Sequence, residues 1–130
     1  MKKNKTIIQL IDRANNRNDG YAKLSRQGEI VYEVVAERKS FKPSQIVDLG
    51  HVKLERIIKV FRLYHYETLI CHVELDTTVR DQPVLNREIV KIYGESKSDA
   101  DAINTMLDYL GFKGETYTFR PVNGGFQKIS

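Results

Sequence analysis

One cysteine and no tryptophan occur in 130 residues. The single thiol, Cys71, excludes an internal disulfide and a multi-cysteine zinc site, and it fits a reducing compartment. Long apolar runs are also missing. The longest are stretches such as "TLIC", far short of the roughly 20 apolar residues that a membrane-spanning helix needs. The basic start "MKKNKTIIQLIDRANN" is interrupted by Gln9 and Asp12 and carries no small-residue cleavage site, so no signal peptide is expected and the cytoplasm is the expected location. Charge of one sign is scarce too: 21 basic residues stand against 17 acidic ones, a net charge of +4. That balance implies only a mild preference for acidic partners. Its densest basic stretches are "MKKNK" and "ERKSFK". Lys2, Lys3, Lys5, Arg38, Lys39 and Lys42 would carry any nucleic-acid contact, although these patches are thin beside a dedicated binding face, which gathers Lys and Arg on one side with aromatics between them.

What is present is the length and patterning of one small α+β domain spanning residues 1–130. Thr6 can cap a first helix whose Ile7, Leu10, Ile11 and Ala14 form one apolar stripe. The run "NNRNDG" ends it with turn chemistry. From Tyr21 the period changes to two, and "YAKLSR" and "EIVYEVVAE" around "QG" read as a β-hairpin. In "RKSFKPSQIVDLG", Pro43 and Gly50 punctuate a connection with room for a single helical turn. The stretch "VKLERIIKVFRLY" fits two readings. Leu54, Ile57, Ile58 and Phe61 have helical spacing, with Lys53, Arg56 and Lys59 opposite, while the β-branched "IIKVF" favours a strand from about Arg56, which is the reading adopted. "TLICHVELD" alternates, with Leu69, Cys71, Val73 and Leu75 on one side and Ile70, His72, Glu74 and Asp76 on the other. "LNREIVKIY" supplies a further strand.

The segment "YGESKSDADAINTMLDYLGFKG" has the polar, glycine-flanked start of a site, and helix construction accounts for it. Ser98 serves as a cap, with Asp101 reaching back and Asp99 complementing the dipole. Ile103, Met106, Leu107 and Leu110 form the stripe, with Asn104, Thr105 and Asp108 facing away, and Gly111 with Phe112 suits a Schellman ending. A phosphate loop would need further glycines and a Gly-Lys-Ser/Thr order, and the carboxylates in "ESKSD" would repel an anion. His72, Glu74 and Asp76 share one strand face, with His65 a possible fourth ligand for a divalent metal, yet residues two apart on a strand are spread too widely for a tight shell. Cys71 on the apolar face reads as an inert thiol. His51 has no identifiable partner. No nucleophile, carboxylate pair or dinucleotide fingerprint can be placed, so neither an enzyme nor a cofactor is expected. In the C-terminal "ETYTFRPVNGGFQKIS", an alternating strand precedes an Asn-Gly-Gly turn, and Arg120, Asn123 and Phe126 could form an exposed tip. Arg56, Lys59 and Arg62 are the other candidates for a binding surface.

Two segments resemble a known group. "YHYETLICHVELD" looks like a Ser-Tyr-x-Thr-x-Ile-Ala strand, with His65 and Cys71 at the Ser and Ala positions. "YGESKSDADAINTMLDYLG" looks like the strand, Ser/Thr-rich cap and Ile-Asn-containing helix that follow it in small uncharacterised proteins of Gram-positive phages and mobile elements. These motifs cover roughly the C-terminal half and are structural. The resemblance implies a mobile-element accessory protein in a bacterial host's cytoplasm that acts by stoichiometric binding, most specifically an anti-CRISPR inhibitor of an RNA-guided nuclease. Its surface would occlude a nuclease domain or contact the guide RNA. The competing expectation is a nucleic-acid-binding module. The fold expected is an antiparallel sheet with the C-terminal helix packed on one face and the short N-terminal helix at an edge or on the same face.

Overall fold

The computed structural model describes residues 4–40, 47–49, 52–54, 57–76, 86–112, 117–120 and 125–128. Helix α1 (Lys5–Asn16) buries Ile7, Leu10, Ile11 and Ala14, the stripe read from the sequence. Its cap is Asn4 rather than Thr6: the Asn4 Oδ1 accepts from Ile7 N at 3.2 Å. An asparagine amide satisfies the orphan N–H as well as a hydroxyl does, which lets the helix begin one residue before Thr6. Strands β1 (Tyr21–Arg26) and β2 (Glu29–Ser40) form the expected hairpin, with Gln27 and Gly28 both at positive φ in its turn. Short strands β3 (Val47–Leu49) and β4 (Val52–Leu54) pair with each other. The helical turn expected after Pro43 falls partly outside the described residues, and Val47–Leu49 is strand. The ambiguous stretch resolves as strand, β5 (Ile57–His65), followed by β6 (Thr68–Asp76) and β7 (Asn86–Ile92). Helix α2 (Lys97–Tyr109) precedes β8 (Tyr117–Arg120) and β9 (Gly125–Lys128), which pair with each other.

The main sheet has the order β1-β2-β5-β6-β7, with every neighbour antiparallel. Ala36, Phe61 and Val73 lie side by side across three strands, as do Val34, Leu63 and Cys71, and these rows meet α1 and α2 in one hydrophobic core. Both helices therefore cover the same face. Full burial of a side chain such as Phe61, Leu63 or Ile103 contributes about 1.5–3 kcal/mol, and Val31, Ile58 and Val60, outside this cluster, are buried as well.

Three ladders carry bulges, and one of them corrects the sequence reading. Leu63 faces Cys71 while Tyr64 faces Leu69, so Ile70 is the extra residue of β6. An extra residue reverses the alternation locally. Ile70 is buried in the core and Leu69 only half-buried, opposite to strict alternation, whereas Cys71, Val73 and Leu75 keep the inward side.

The helices run parallel. Asn4 Nδ2 donates to Asp101 Oδ2 at 2.9 Å near both N-termini, and the Tyr109 hydroxyl donates to Asp12 eight residues further along each helix. Helix α2 starts earlier than Ser98: Ser96 is the cap and accepts from Asp99 N at 3.2 Å, and Asp99, not Asp101, reaches back, to Glu95 N at 2.9 Å. The cap and its reciprocal carboxylate are both shifted two residues upstream, because Asp99 also has a partner in the sheet. Gly111 at φ +86 and Phe112 close α2 as expected, with Phe112 N donating to Leu107 O at 2.9 Å. Asn104 and Thr105, expected on the solvent side, are buried. Asn104 bonds the backbone of Tyr117 in both directions, at 2.6 and 2.8 Å, and Thr105 Oγ1 donates to Asp101 O at 2.8 Å. Strand β8 thus covers a second side of α2, which a single-stripe reading cannot anticipate.

Candidate functional site

Because α1 and α2 are parallel, the two ends of the sheet differ electrostatically. Both helix C-termini lie at one end and both N-termini at the other, and β5 connects the two regions, Lys59 standing about 20 Å from His65 at the rise of an extended chain.

At the C-terminal end, a hollow of about 540 Å³ is bounded by the end of α1, the turn after it and the facing rungs of β2 and β5. Gly20 lets the chain pass there: its φ is +63, its carbonyl accepts from Ala36 N at 2.7 Å, and a Cβ on it would lie 2.0 Å from Ala36 O. Arg17, Arg38, Lys39 and Lys59 line the hollow together with the carboxylates Asp19 and Glu37, which pair with Arg17 and Arg62. Some of this charge is engaged. Arg17 pairs with Asp19 at 3.4 Å on the surface, and Lys59 donates to Asn15 near the end of α1 while its ammonium lies 5.4 Å from the Phe61 ring centroid. Arg38 is different, because it stands directly opposite Lys59 in the ladder. Like charges facing each other across a sheet are destabilising. Burial, and then the neighbouring Arg38, push the Lys59 ammonium below the usual lysine range. Among the described residues no carboxylate pairs with Arg38, Lys39 or Lys59.

At the N-terminal end the charges are satisfied. Asp99 is 7% exposed, and its Oδ1 accepts from His65 Nδ1 at 2.5 Å while Oδ2 holds Glu95 N. His65 is stacked on Tyr32 at 4.4 Å between centroids and touches Tyr66 at 4.7 Å. Desolvation, then Asp99 and Asp101, push the Tyr32 phenol up. An Asp–His pair supplies two members of a hydrolase triad, but Ser96 Oγ is engaged with Asp99 N, and among the described residues no Ser, Thr or Cys bonds His65.

Strand geometry separates the residues that the sequence offered as sites. Arg56, Lys59 and Arg62, three apart, would share a helix face, but a strand alternates. Lys59 lies on the helix-covered face beside Phe61, whereas Arg62 is on the other face, paired with Glu37 at 3.0 Å. Arg56 is outside the described residues, as are Lys2, Lys3, Lys42 and Asn123. Arg120 and Phe126 fall in β8 and β9, and Phe126 is the register partner of Phe119. Lys5 is exposed at the start of α1, at the opposite end from Arg38 and Lys39, so the proposed basic set is not one patch. The structure instead brings Lys59 from one set opposite Arg38 from the other on the helix-covered face, while Lys39, next along β2, alternates onto the face of Glu37 and Arg62 and reaches the hollow only at its rim. Arg17 also lines the hollow and belongs to neither sequence-derived set, because the "NNRNDG" turn that carries it reads locally as punctuation alone.

His72 and Glu74 lie on the face away from the helices, with His72 Nε2 3.2 Å from Glu74 Oε2 but off the line of a hydrogen bond. His65 is on the helix-covered side, engaged with Asp99, so it does not join them. Among the described residues no three His, Cys, Asp or Glu side chains converge as metal ligands. Cys71 is buried and its thiol is pushed up to about 12 by desolvation.

The architecture is of the α+β class, and no helix of the described residues is long and apolar enough to cross a membrane. No protein family, curated protein or solved structure matches the chain.

Proposed function

We propose that the protein is a non-enzymatic binding module that grips the phosphate backbone of a nucleic acid in the basic hollow, with Arg38 and Lys59 as the contacting cations and Lys39 at the rim. The observation that carries this reading is Arg38 facing Lys59 with no carboxylate between them. A fold that only needed charge for solubility would place an acid in one of those positions, since an opposite-charge pair there is favourable. A phosphate group relieves the repulsion and is the ligand that gains most from it. The hollow also flanks the C-terminus of α1, whose dipole disfavours anions, so the cations must supply the attraction themselves.

The mobile-element resemblance gives this activity a setting. A stoichiometric inhibitor of an RNA-guided nuclease that contacts the guide RNA would use the same surface, which reconciles a net basic chain with inhibition. The test is a pull-down of the tagged protein from a Gram-positive host that carries such a nuclease, run beside the Arg38→Ala/Lys39→Ala variant. RNA, alone or within its effector, should be captured by the parent, released by ribonuclease and raised salt, and lost with the variant. A partner retained equally by the variant, or one that survives ribonuclease and salt, would overturn the phosphate-binding reading.

A further inference from the structure

We infer that the hollow at the opposite end, between the β5–β6 hairpin and the start of α2, binds a cationic side chain of a protein partner, specifically an arginine. This hollow measures about 320 Å³ and is lined by Tyr66, Tyr93, Glu95, Asp99, His65 and Thr68, among others. Among the described residues no lysine or arginine borders it. Tyr66 and Tyr93 are 51% and 41% exposed and account for two of the three exposed large hydrophobic side chains among the described residues. Two exposed tyrosines beside carboxylates form the surroundings in which a guanidinium gains both cation–π attraction and charge-assisted hydrogen bonds.

Their placement is not explained by folding. Tyr66 and Glu67 occupy the turn between β5 and β6 at φ +48 and +68, where Asn-Gly is the favoured pair. The other hairpin turn has Gln27 and Gly28 at the corresponding positions. A bulky residue held in the left-handed region with its ring exposed contributes no core packing, and such strain persists where a site needs the side chain. The ring is held against His65, which is itself fixed by Asp99 and Tyr32, so the aromatic wall is preorganised.

The carboxylates divide the work. Both oxygens of Asp99 are committed, one to His65 and one to Glu95 N, so Asp99 supplies field and rigidity. Glu95 is exposed and is approached by the Tyr93 hydroxyl, which positions it at the rim to accept from an incoming guanidinium. An acidic ligand would meet two carboxylates, and because the dipole of the α2 N-terminus opposes a cation, Glu95 and the tyrosine rings must supply the attraction themselves.

The test is a titration of isotopically labelled protein with a Gly-Arg-Gly-Arg-Gly peptide, compared with the same peptide carrying uncharged citrulline. NMR shifts should gather at Tyr66, Tyr93 and Glu95, and the citrulline peptide should bind at least fivefold more weakly. Glu95→Gln and Tyr66→Ala, both at exposed positions, should each weaken arginine-peptide binding about fivefold, while Arg38→Ala/Lys39→Ala leaves it unchanged. Equal binding of the citrulline peptide, undiminished binding by Glu95→Gln and Tyr66→Ala, or shifts centred elsewhere would overturn the inference. Loss of nucleic-acid binding at the other end would not affect these readouts.

Discussion

At the α2 N-terminal end of the sheet, a buried carboxylate is taken up by an imidazole and a backbone N–H, and Asp101 beside it accepts from Asn4. Across the sheet, Arg38 faces Lys59, and among the described residues no carboxylate pairs with either or with the exposed Lys39. Part of this polarity is helix physics. Acids suit the shared N-terminal end and cations the shared C-terminal end, where Arg87 Nε donates to Leu110 O at 3.0 Å and Lys59 reaches Asn15 near the end of α1. Arg87 is accounted for as a helix cap in this way, while Arg38 and Lys39 are not. The comparison teaches that charge at a helix end becomes a candidate for function only after its capping role has been subtracted.

The comparison can be broken most severely at the basic end. Gly20→Ala forces a methyl group to within 2.0 Å of Ala36 O at a positive φ, and should destabilise the fold by about 3 kcal/mol or more in denaturant unfolding. At the other end, Asp99→Ala leaves His65 and Glu95 N without their acceptor and should cost about 2 kcal/mol, read in the same way, with nucleic-acid binding unchanged for the folded fraction. Tyr66→Asn should act in the opposite sense. Relieving the left-handed tyrosine should raise stability by about 0.5–1 kcal/mol while weakening capture of an arginine peptide. Arg38→Ala/Lys39→Ala should move stability least, within about 0.5 kcal/mol, because both side chains are exposed. Cys71 lies in the core between the two ends and provides a check on integrity. With its thiol pushed up to about 12, it remains protonated well above neutral pH, so iodoacetamide at pH 8 should modify it only when the protein unfolds.

Much of the fold was legible because local chemistry and burial agree. The α1 stripe, the Gln27–Gly28 hairpin, the inward Val73 and Leu75 and the Gly111–Phe112 ending are each set by residues adjacent in sequence. Reading failed where a distant element supplied the reason. Strand β8 buries Asn104, the sheet recruits Asp99 from its helix cap, and a bulge turns Ile70 inward. The candidate sites were the least legible part for the same cause. Arg38 and Lys59 lie 21 positions apart and become neighbours only through the β2–β5 register, and His65 and Asp99 meet across 34 positions. No spacing rule within a single segment finds either pair.

The most direct test of the central claim is the salt dependence of binding to a short single-stranded RNA, measured by fluorescence anisotropy. Two phosphate contacts predict a slope of log K against log salt of about −1.4, falling to about −0.7 in Arg38→Ala/Lys39→Ala, where Lys59 alone remains. A slope that the variant leaves unchanged, or binding indifferent to salt, would contradict the assignment of the basic hollow as the phosphate grip.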